Sequence, residues 1–154
     1  MKKSSLAVAL TLSISLSAFA GGSHHGGHSH SNGAGKPGEA ESVDRTVAIT
    51  MHDTMRYNLS ELEVKAGETV RFTITNKGTI PHEFTLDTQK ALLEHRDMMR
   101  NMPAMAHNDP NAITLEPGAS GEIIWTFNDA DTIEIGCLIP GHYEAGMKIP
   151  VTTG

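Results

Sequence analysis

The chain has 154 residues, enough for one ordinary domain with a tail, and its composition fits neither a collagen, a coiled coil nor a membrane protein. Its 18 acidic and 12 basic residues give a formal net charge of -6, which argues against a nucleic-acid partner. The single Cys excludes an internal disulfide, whereas nine His and eight Met provide an excess of side chains that bind metals.

Residues 1–20 have the pattern of a secretory signal peptide. A Lys-Lys pair precedes an apolar stretch that ends in the small-x-small cleavage pattern Ala18-Phe19-Ala20. This stretch is shorter than the roughly 20 strongly apolar residues that a spanning helix needs, and no second one follows. We therefore expect a protein without a membrane span, exported to the bacterial periplasm. An uncleaved N-terminal anchor is the alternative interpretation.

The next segment, residues 21–42, is rich in Gly and His and has no apolar periodicity, so we expect a disordered leader. It carries His24, His25, His28 and His30. Imidazoles on a flexible chain can gather around Cu(II), Ni(II) or Zn(II). The leader is therefore a candidate for weak metal capture, with a solvated spacer as the alternative.

Residues 43–154 alternate apolar and polar positions, which indicates strands with one buried and one exposed face. About eight short strands separated by Gly-, Pro- and Asn-containing turns predict an all-β, antiparallel β-sandwich domain. The alternating apolar positions are Val47, Ile49, Met51, Leu62, Val64, Val70, Phe72, Ile74, Phe84, Leu86, Ile113, Leu115, Ile123, Trp125, Phe127, Ile133, Ile135, Cys137, Met147, Ile149 and Val151.

One segment, from Thr88 to about Met102, lacks this alternation and is rich in helix formers. It predicts a short helix inserted between strands, ending before Pro103. The insertion is also rich in Met, a residue that serves both as a flexible packing side chain and as a soft ligand for Cu(I).

Two Met-containing clusters are candidates for a second metal site. Their residues are Met98, Met99 and Met102 in the insertion, and Met51, His52 and Met55 near the first strand. The alternative, which we favour, is that these Met side chains pack the helix and the sandwich.

The strongest chemical signal is near the end of the chain, where Cys137, His142 and Met147 have the spacing C-x4-H-x4-M. A sandwich can bring His82, which begins a predicted strand, beside this loop. Two imidazoles and a thiolate in one plane with a weak axial thioether form the blue-copper arrangement. Zinc is the main alternative, although zinc sites rarely use Met.

The motif Cys-Leu-Ile-Pro-Gly-His at 137–142, the Gly-Met pair at 146–147 and the segment 76–84 resemble the cupredoxins, a resemblance that extends over roughly 43–154. It implies a Greek-key β-sandwich with one type 1 copper. The equatorial ligands implied are His82, Cys137 and His142, and the axial ligand implied is Met147. The His-rich leader and Met-rich insertion look like those of bacterial copper-tolerance cupredoxins.

Two positions depart from the pattern of this family. Glu83 stands where many cupredoxins have an Asn that links the two ligand loops, and Ile135 stands where many have an aromatic residue. Residues of this kind orient the ligands and tune the metal.

The expected function is one-electron cycling of copper between Cu(II) and Cu(I) in the service of copper tolerance. A dedicated respiratory electron shuttle is the alternative. An enzyme with a trinuclear copper cluster needs several His-x-His pairs, and the chain has one, His28-Ser29-His30, so we expect no enzyme. We expect a monomer that binds copper and meets a redox or copper-handling partner transiently.

Overall fold

The computed structural model describes residues 33–101, 109–130 and 132–154, and these residues form ten β-strands. The predictions for 1–20, for the leader His residues and for Met102 lie outside these ranges. The strands are β1 (Gly35–Pro37), β2 (Arg45–His52), β3 (Arg56–Tyr57), β4 (Leu62–Val64), β5 (Thr69–Asn76), β6 (His82–Thr88), β7 (Ala112–Leu115), β8 (Ser120–Phe127), β9 (Ile133–Gly136) and β10 (Lys148–Thr153).

The strands form two five-stranded sheets, with the orders β1-β8-β5-β2-β3 and β4-β10-β9-β6-β7. Among the described strands six pairings are antiparallel, while β2–β5 and β4–β10 are parallel. Neighbouring strands are mostly distant in sequence, so the chain crosses between the sheets as a Greek key does. The predicted all-β sandwich is confirmed. The strands β1 and β3 were not predicted, because strands of two or three residues are too short to show alternation.

The core lies between the sheets and is centred on large side chains without exposed surface. Phe72 of β5 and Phe84 of β6 belong to different sheets, and their ring centroids are 5.2 Å apart. Phe127 meets Phe72 edge-on at 6.3 Å, and Trp125 is also fully buried. Each such side chain contributes about 1.5–3 kcal/mol through burial. This packing gives the ligand-bearing strands a rigid base.

The predicted disorder of 21–42 is wrong for residues 33–42. The segment Gly35–Pro37 pairs with β8, and the buried Ala34 accepts a hydrogen bond from Trp125 Nε1 at 3.3 Å. Gly35 has φ +143°, and a Cβ there would lie 2.1 Å from the carbonyl oxygen of Thr126. This strand is held by backbone pairing and a close approach that only Gly permits, neither of which produces apolar periodicity.

The inserted helix, α1, spans Gln89–Asn101, in agreement with the sequence prediction. Thr88 Oγ1 accepts a hydrogen bond from the N–H of Ala91 at 3.3 Å and so caps its first turn. Its buried Leu92 packs with Leu138 and Tyr143 in a small cluster of their own. The helix therefore rests on the loop that carries the predicted ligands. The part of the chain that the structure describes contains no helix long and apolar enough to cross a membrane.

Candidate metal centre

The structure brings together three of the four predicted ligands. Candidate ligand atoms of His82, Cys137 and His142 all lie within 4.8 Å of one another. Cys137 directly follows β9, which pairs with β6, the strand that begins at His82. The Cys137 sulfur lies 3.3 Å from Nδ1 of His142. Two imidazoles and one thiol thus converge on one point at the end of the sandwich.

The loop between Cys137 and Met147 is closed by its own backbone. The N–H of His142 donates to Ile139 O at 3.0 Å, and the N–H of Met147 donates to His142 O at 3.0 Å. The N–H of Cys137 in turn donates to Met147 O at 3.1 Å. Met147, the fourth predicted ligand, is fully buried. The C-x4-H-x4-M spacing therefore produces a compact turn in which backbone hydrogen bonds link Met147 to both Cys137 and His142.

His82 has the surroundings expected of a metal ligand. Its side chain is fully buried, and its Nδ1 has no hydrogen-bond partner among the described residues. Leaving a buried polar atom unpaired is costly, and such an atom calls for an explanation. Copper at this point would supply the missing partner, because imidazole nitrogen and thiolate sulfur are donors that copper prefers. The donor set therefore fits the metal.

The Cys137 thiol is held protonated until a cation replaces the proton. Burial raises its pKa to about 12, although the N–H groups of Glu83 and Ile139 donate to the sulfur and act in the opposite direction. The Glu83 N–H lies 3.3 Å from the sulfur. The pKa of His142 is lowered, first by burial and then by the neighbouring His82. A neutral imidazole beside a buried thiol suits metal binding with release of one proton.

Glu83 links the two ligand-bearing segments, although it replaces the Asn common in cupredoxins. Its Oε2 accepts a hydrogen bond from the N–H of Leu138 at 3.0 Å, one residue beyond Cys137. Its carbonyl oxygen accepts a hydrogen bond from the Tyr57 hydroxyl at 2.7 Å. A carboxylate thus performs the linking role here and adds a negative charge beside the sulfur. Ile135, the other departure, is a fully buried core residue.

The residues predicted for a second metal site lie in positions less suited to binding one ion together. Met51 is fully buried in the core, whereas the next residue, His52, projects from the opposite face of β2 and contacts Thr50 Oγ1 at 2.9 Å. This arrangement argues against one ion held by both. Met55 packs at the edge of the core, and Met98 and Met99 are half-buried on α1. A second copper site at these residues stays a prediction.

Asp53 contacts the candidate site, although the sequence does not predict this contact. Its Oδ1 lies 3.1 Å from Nε2 of His82, across a separation of 29 residues. The only sequence signal was an acidic residue beside the Met51–Met55 cluster, which does not point to His82. Contacts between a turn and a distant strand leave no periodic pattern.

Comparisons with known proteins agree on the family. A model of the family described as Cupredoxin-like domain matches residues 9–126, a stretch that ends before Cys137. The copper-resistant cuproprotein CopI of Rubrivivax gelatinosus is 49% identical over 129 residues, 82% of this chain and 78% of the relative. The protein of that name from Pseudomonas aeruginosa is 36% identical over 163 residues, 87% of this chain and 90% of the relative.

A solved structure with the same fold is the dithionite-reduced auracyanin from Roseiflexus castenholzii. It superposes with a TM-score of 0.61 at 25% identity, over 73% of this chain and 98% of that chain. The resemblance seen in the motifs is thereby confirmed, and the family implies copper as the cofactor of the His82, Cys137 and His142 cluster. The chain therefore belongs to the cupredoxin-like family.

Proposed function

We propose that this protein is a periplasmic copper-binding cupredoxin whose single type 1 site transfers one electron at a time in the service of copper tolerance. His82, Cys137 and His142 would hold the copper through two imidazole nitrogens and a thiolate, and Met147 would add a weak thioether donor. The observation that carries the proposal is the convergence of two imidazoles and a thiol within 4.8 Å, with a buried His82 Nδ1 left unpaired. The protein is a carrier of copper and electrons, and we propose no catalytic turnover.

Copper bound in this site supplies the one-electron couple. The protein contributes rigidity, because His82 and Cys137 lie on or beside paired strands of one sheet and the loop is closed by backbone hydrogen bonds. It also contributes exclusion of water, because His82, Cys137 and Met147 have no exposed surface. Ligands that cannot move and are not solvated rearrange little when the charge of the site changes. A small rearrangement favours fast electron transfer.

His142 is the route by which electrons reach the surface. Its ring is half-buried, while the other three ligands are fully buried. Exposed residues near it in the chain or in the site are Ile80, Pro81, Pro140 and Gly141. An apolar rim of this kind suits brief docking of a redox partner. This feature also favours the second candidate function, a respiratory electron shuttle.

Copper tolerance is favoured over the shuttle by the relatives and by the composition of the chain. Two relatives at 49% and 36% identity are copper-resistant cuproproteins. The His-rich leader and the Met-rich insertion provide soft and borderline donors that a pure electron shuttle does not need. A deletion strain separates the two functions. Copper sensitivity with normal respiration supports tolerance, whereas a respiratory defect at low copper supports the shuttle.

The type 1 site is tested by adding Cu(II) to the mature protein and recording the visible spectrum. Charge transfer from the Cys137 sulfur to copper gives intense absorption. Cys137→Ser removes this band, because a hydroxyl is a poor copper ligand at neutral pH. A parent protein that binds Cu(II) without the band would refute the proposed site.

A further inference from the structure

The ring of His82 is oriented by a carboxylate from a distant turn. Asp53 follows β2 directly, and its Oδ1 lies 3.1 Å from Nε2 of His82. The His82 side chain is fully buried, whereas the Asp53 side chain is 37% exposed. A carboxylate oxygen accepts hydrogen bonds and cannot donate when ionised, so the contact requires the proton on Nε2. Nδ1 is then left with the lone pair that a metal needs.

Asp53 is held in place independently of His82. Its Oδ2 accepts hydrogen bonds from the N–H of Thr79 at 2.8 Å and from the Thr79 hydroxyl at 2.7 Å. These bonds lower the pKa of Asp53 to about 2, so the carboxylate is ionised at neutral pH. The other oxygen remains directed at the imidazole. The carboxylate is therefore positioned before any metal binds.

The backbone leaves room for this contact only because residue 78 is Gly. A Cβ at Gly78 would lie 1.9 Å from Asp53 Oδ1 and 3.0 Å from His82 Nε2. The same turn is fixed by the buried Asn76, whose Oδ1 accepts from the N–H of Gly78 and whose Nδ2 donates to Ile80 O, both at 2.8 Å. The Asp53–His82 pair is thus built from three segments: the turn after β2, the turn that contains Gly78, and the start of β6.

We propose that Asp53 is a positioning residue that fixes the tautomer of His82 and, through its charge, stabilises Cu(II) relative to Cu(I). A carboxylate bonded to the far nitrogen of a metal-ligating imidazole makes that imidazole a stronger donor. A stronger donor favours the higher oxidation state and lowers the reduction potential. This inference rests on the proposed copper site.

The first test measures reduction potentials. Asp53→Asn removes the charge with little change of shape, and we expect it to keep the visible band. We expect the ratio of Cu(I) to Cu(II) at a given applied potential to rise about tenfold, which corresponds to a potential about 59 mV higher. Glu122→Gln is the matched control, because Glu122 is an exposed carboxylate of β8 that pairs with Arg71 at 3.6 Å. An unchanged potential in Asp53→Asn would overturn the proposal.

A second test needs no copper and separates this inference from the proposed function. Nitrogen NMR of the metal-free protein reports which ring nitrogen of His82 carries the proton. We expect Nε2 to carry it in the parent protein and a mixture of tautomers in Asp53→Ala. A parent protein with the proton on Nδ1 contradicts the proposal, whatever the copper titration shows. Thr79→Val removes one hydrogen bond from Asp53 and provides a milder variant if Asp53→Ala does not fold.

Discussion

The two halves of the proposed metal centre are built by different means. Cys137, His142 and Met147 come from one loop, and the loop is closed by hydrogen bonds between its own backbone groups. His82 comes from another strand, and its ring is oriented by Asp53 from a third segment. The three loop residues are close together in the sequence and can be recognised there. His82 comes close to them only after the sandwich has folded. Ligand identity and ligand orientation can therefore have separate origins in one site.

The two imidazoles also differ in exposure, which assigns them different tasks. His82 is fully buried and fixed at both its strand and its ring, so we expect it to anchor the proposed centre. His142 is half-buried in the loop, and we expect it to connect the proposed centre to the surface. Variants of His82 and of the loop residues would test whether these two roles are independent.

The largest effect on copper binding is expected on removing the imidazole of His82. His82→Ala deletes the buried imidazole, and the remaining ligand candidates all come from the loop. We expect loss of the sulfur-to-copper band and a fall in copper affinity of at least tenfold, measured by absorption during a Cu(II) titration. His52→Ala is the control, since that ring projects from the outer face of β2 and bonds Thr50. If the loop alone keeps the parent spectrum, the upstream half is dispensable.

The next effect is on stability, and it concerns the hydrogen bonds that join the ligand loop to the helix α1. The Tyr143 hydroxyl donates to the buried Glu134, which also accepts from Gln89 Nε2 at 2.8 Å. Tyr143→Phe leaves this carboxylate one donor short, and we expect a loss of about 1–3 kcal/mol in the free energy of unfolding. Urea unfolding of the metal-free protein measures it. The band of the copper protein is expected to stay.

The control for Tyr143→Phe is an exposed pair on the same helix. Lys90 and Glu94 are 3.7 Å apart and largely solvated. Lys90→Gln is expected to cost about 0.3–0.5 kcal/mol. A cost for Tyr143→Phe as small as this would mean that the Glu134 contact does not support the loop.

The thioether of Met147 is the third ligand candidate that the loop provides. Met147→Leu keeps the buried volume but removes the sulfur, and Cu(II) loses more from this than Cu(I) does. We expect the band to remain and the reduction potential to rise, on the order of 59 mV for a tenfold shift in the redox equilibrium. Voltammetry of the two proteins measures the difference. A lower potential would contradict a thioether donor at this position.

The smallest effect on the reduction potential is expected at Glu83, which links β6 to the ligand loop. Glu83→Gln keeps an acceptor for the Leu138 N–H but removes the charge, so we expect the band to stay and the potential to rise by less than in Met147→Leu. Glu83→Ala also removes the acceptor, and we expect a shifted band because the loop is no longer tied to β6. Identical spectra and potentials for all three proteins would show that the link does not influence the metal centre.

The sequence predicted the elements whose signal is local. Alternation located the longer strands, and the change of period located α1 close to its observed bounds, Gln89–Asn101. It did not predict β1, because a three-residue strand held by edge pairing and a Gly has no alternation. The prediction of disorder for residues 21–42 therefore wrongly included this strand.

The same division holds for the site. A Cys, a His and a Met in one short loop identify a copper-binding chemistry without any structure, because their spacing sets their separation directly. The contact of Asp53 with His82, the space left by Gly78 and the link through Glu83 arise where turns of different strands meet. The sequence alone predicted the fold class, which the structure confirms, and it predicted the set of donor atoms. The contact between Asp53 and the buried imidazole of His82 could be found only in the folded protein, because it depends on segments that folding brings to one end of the sandwich.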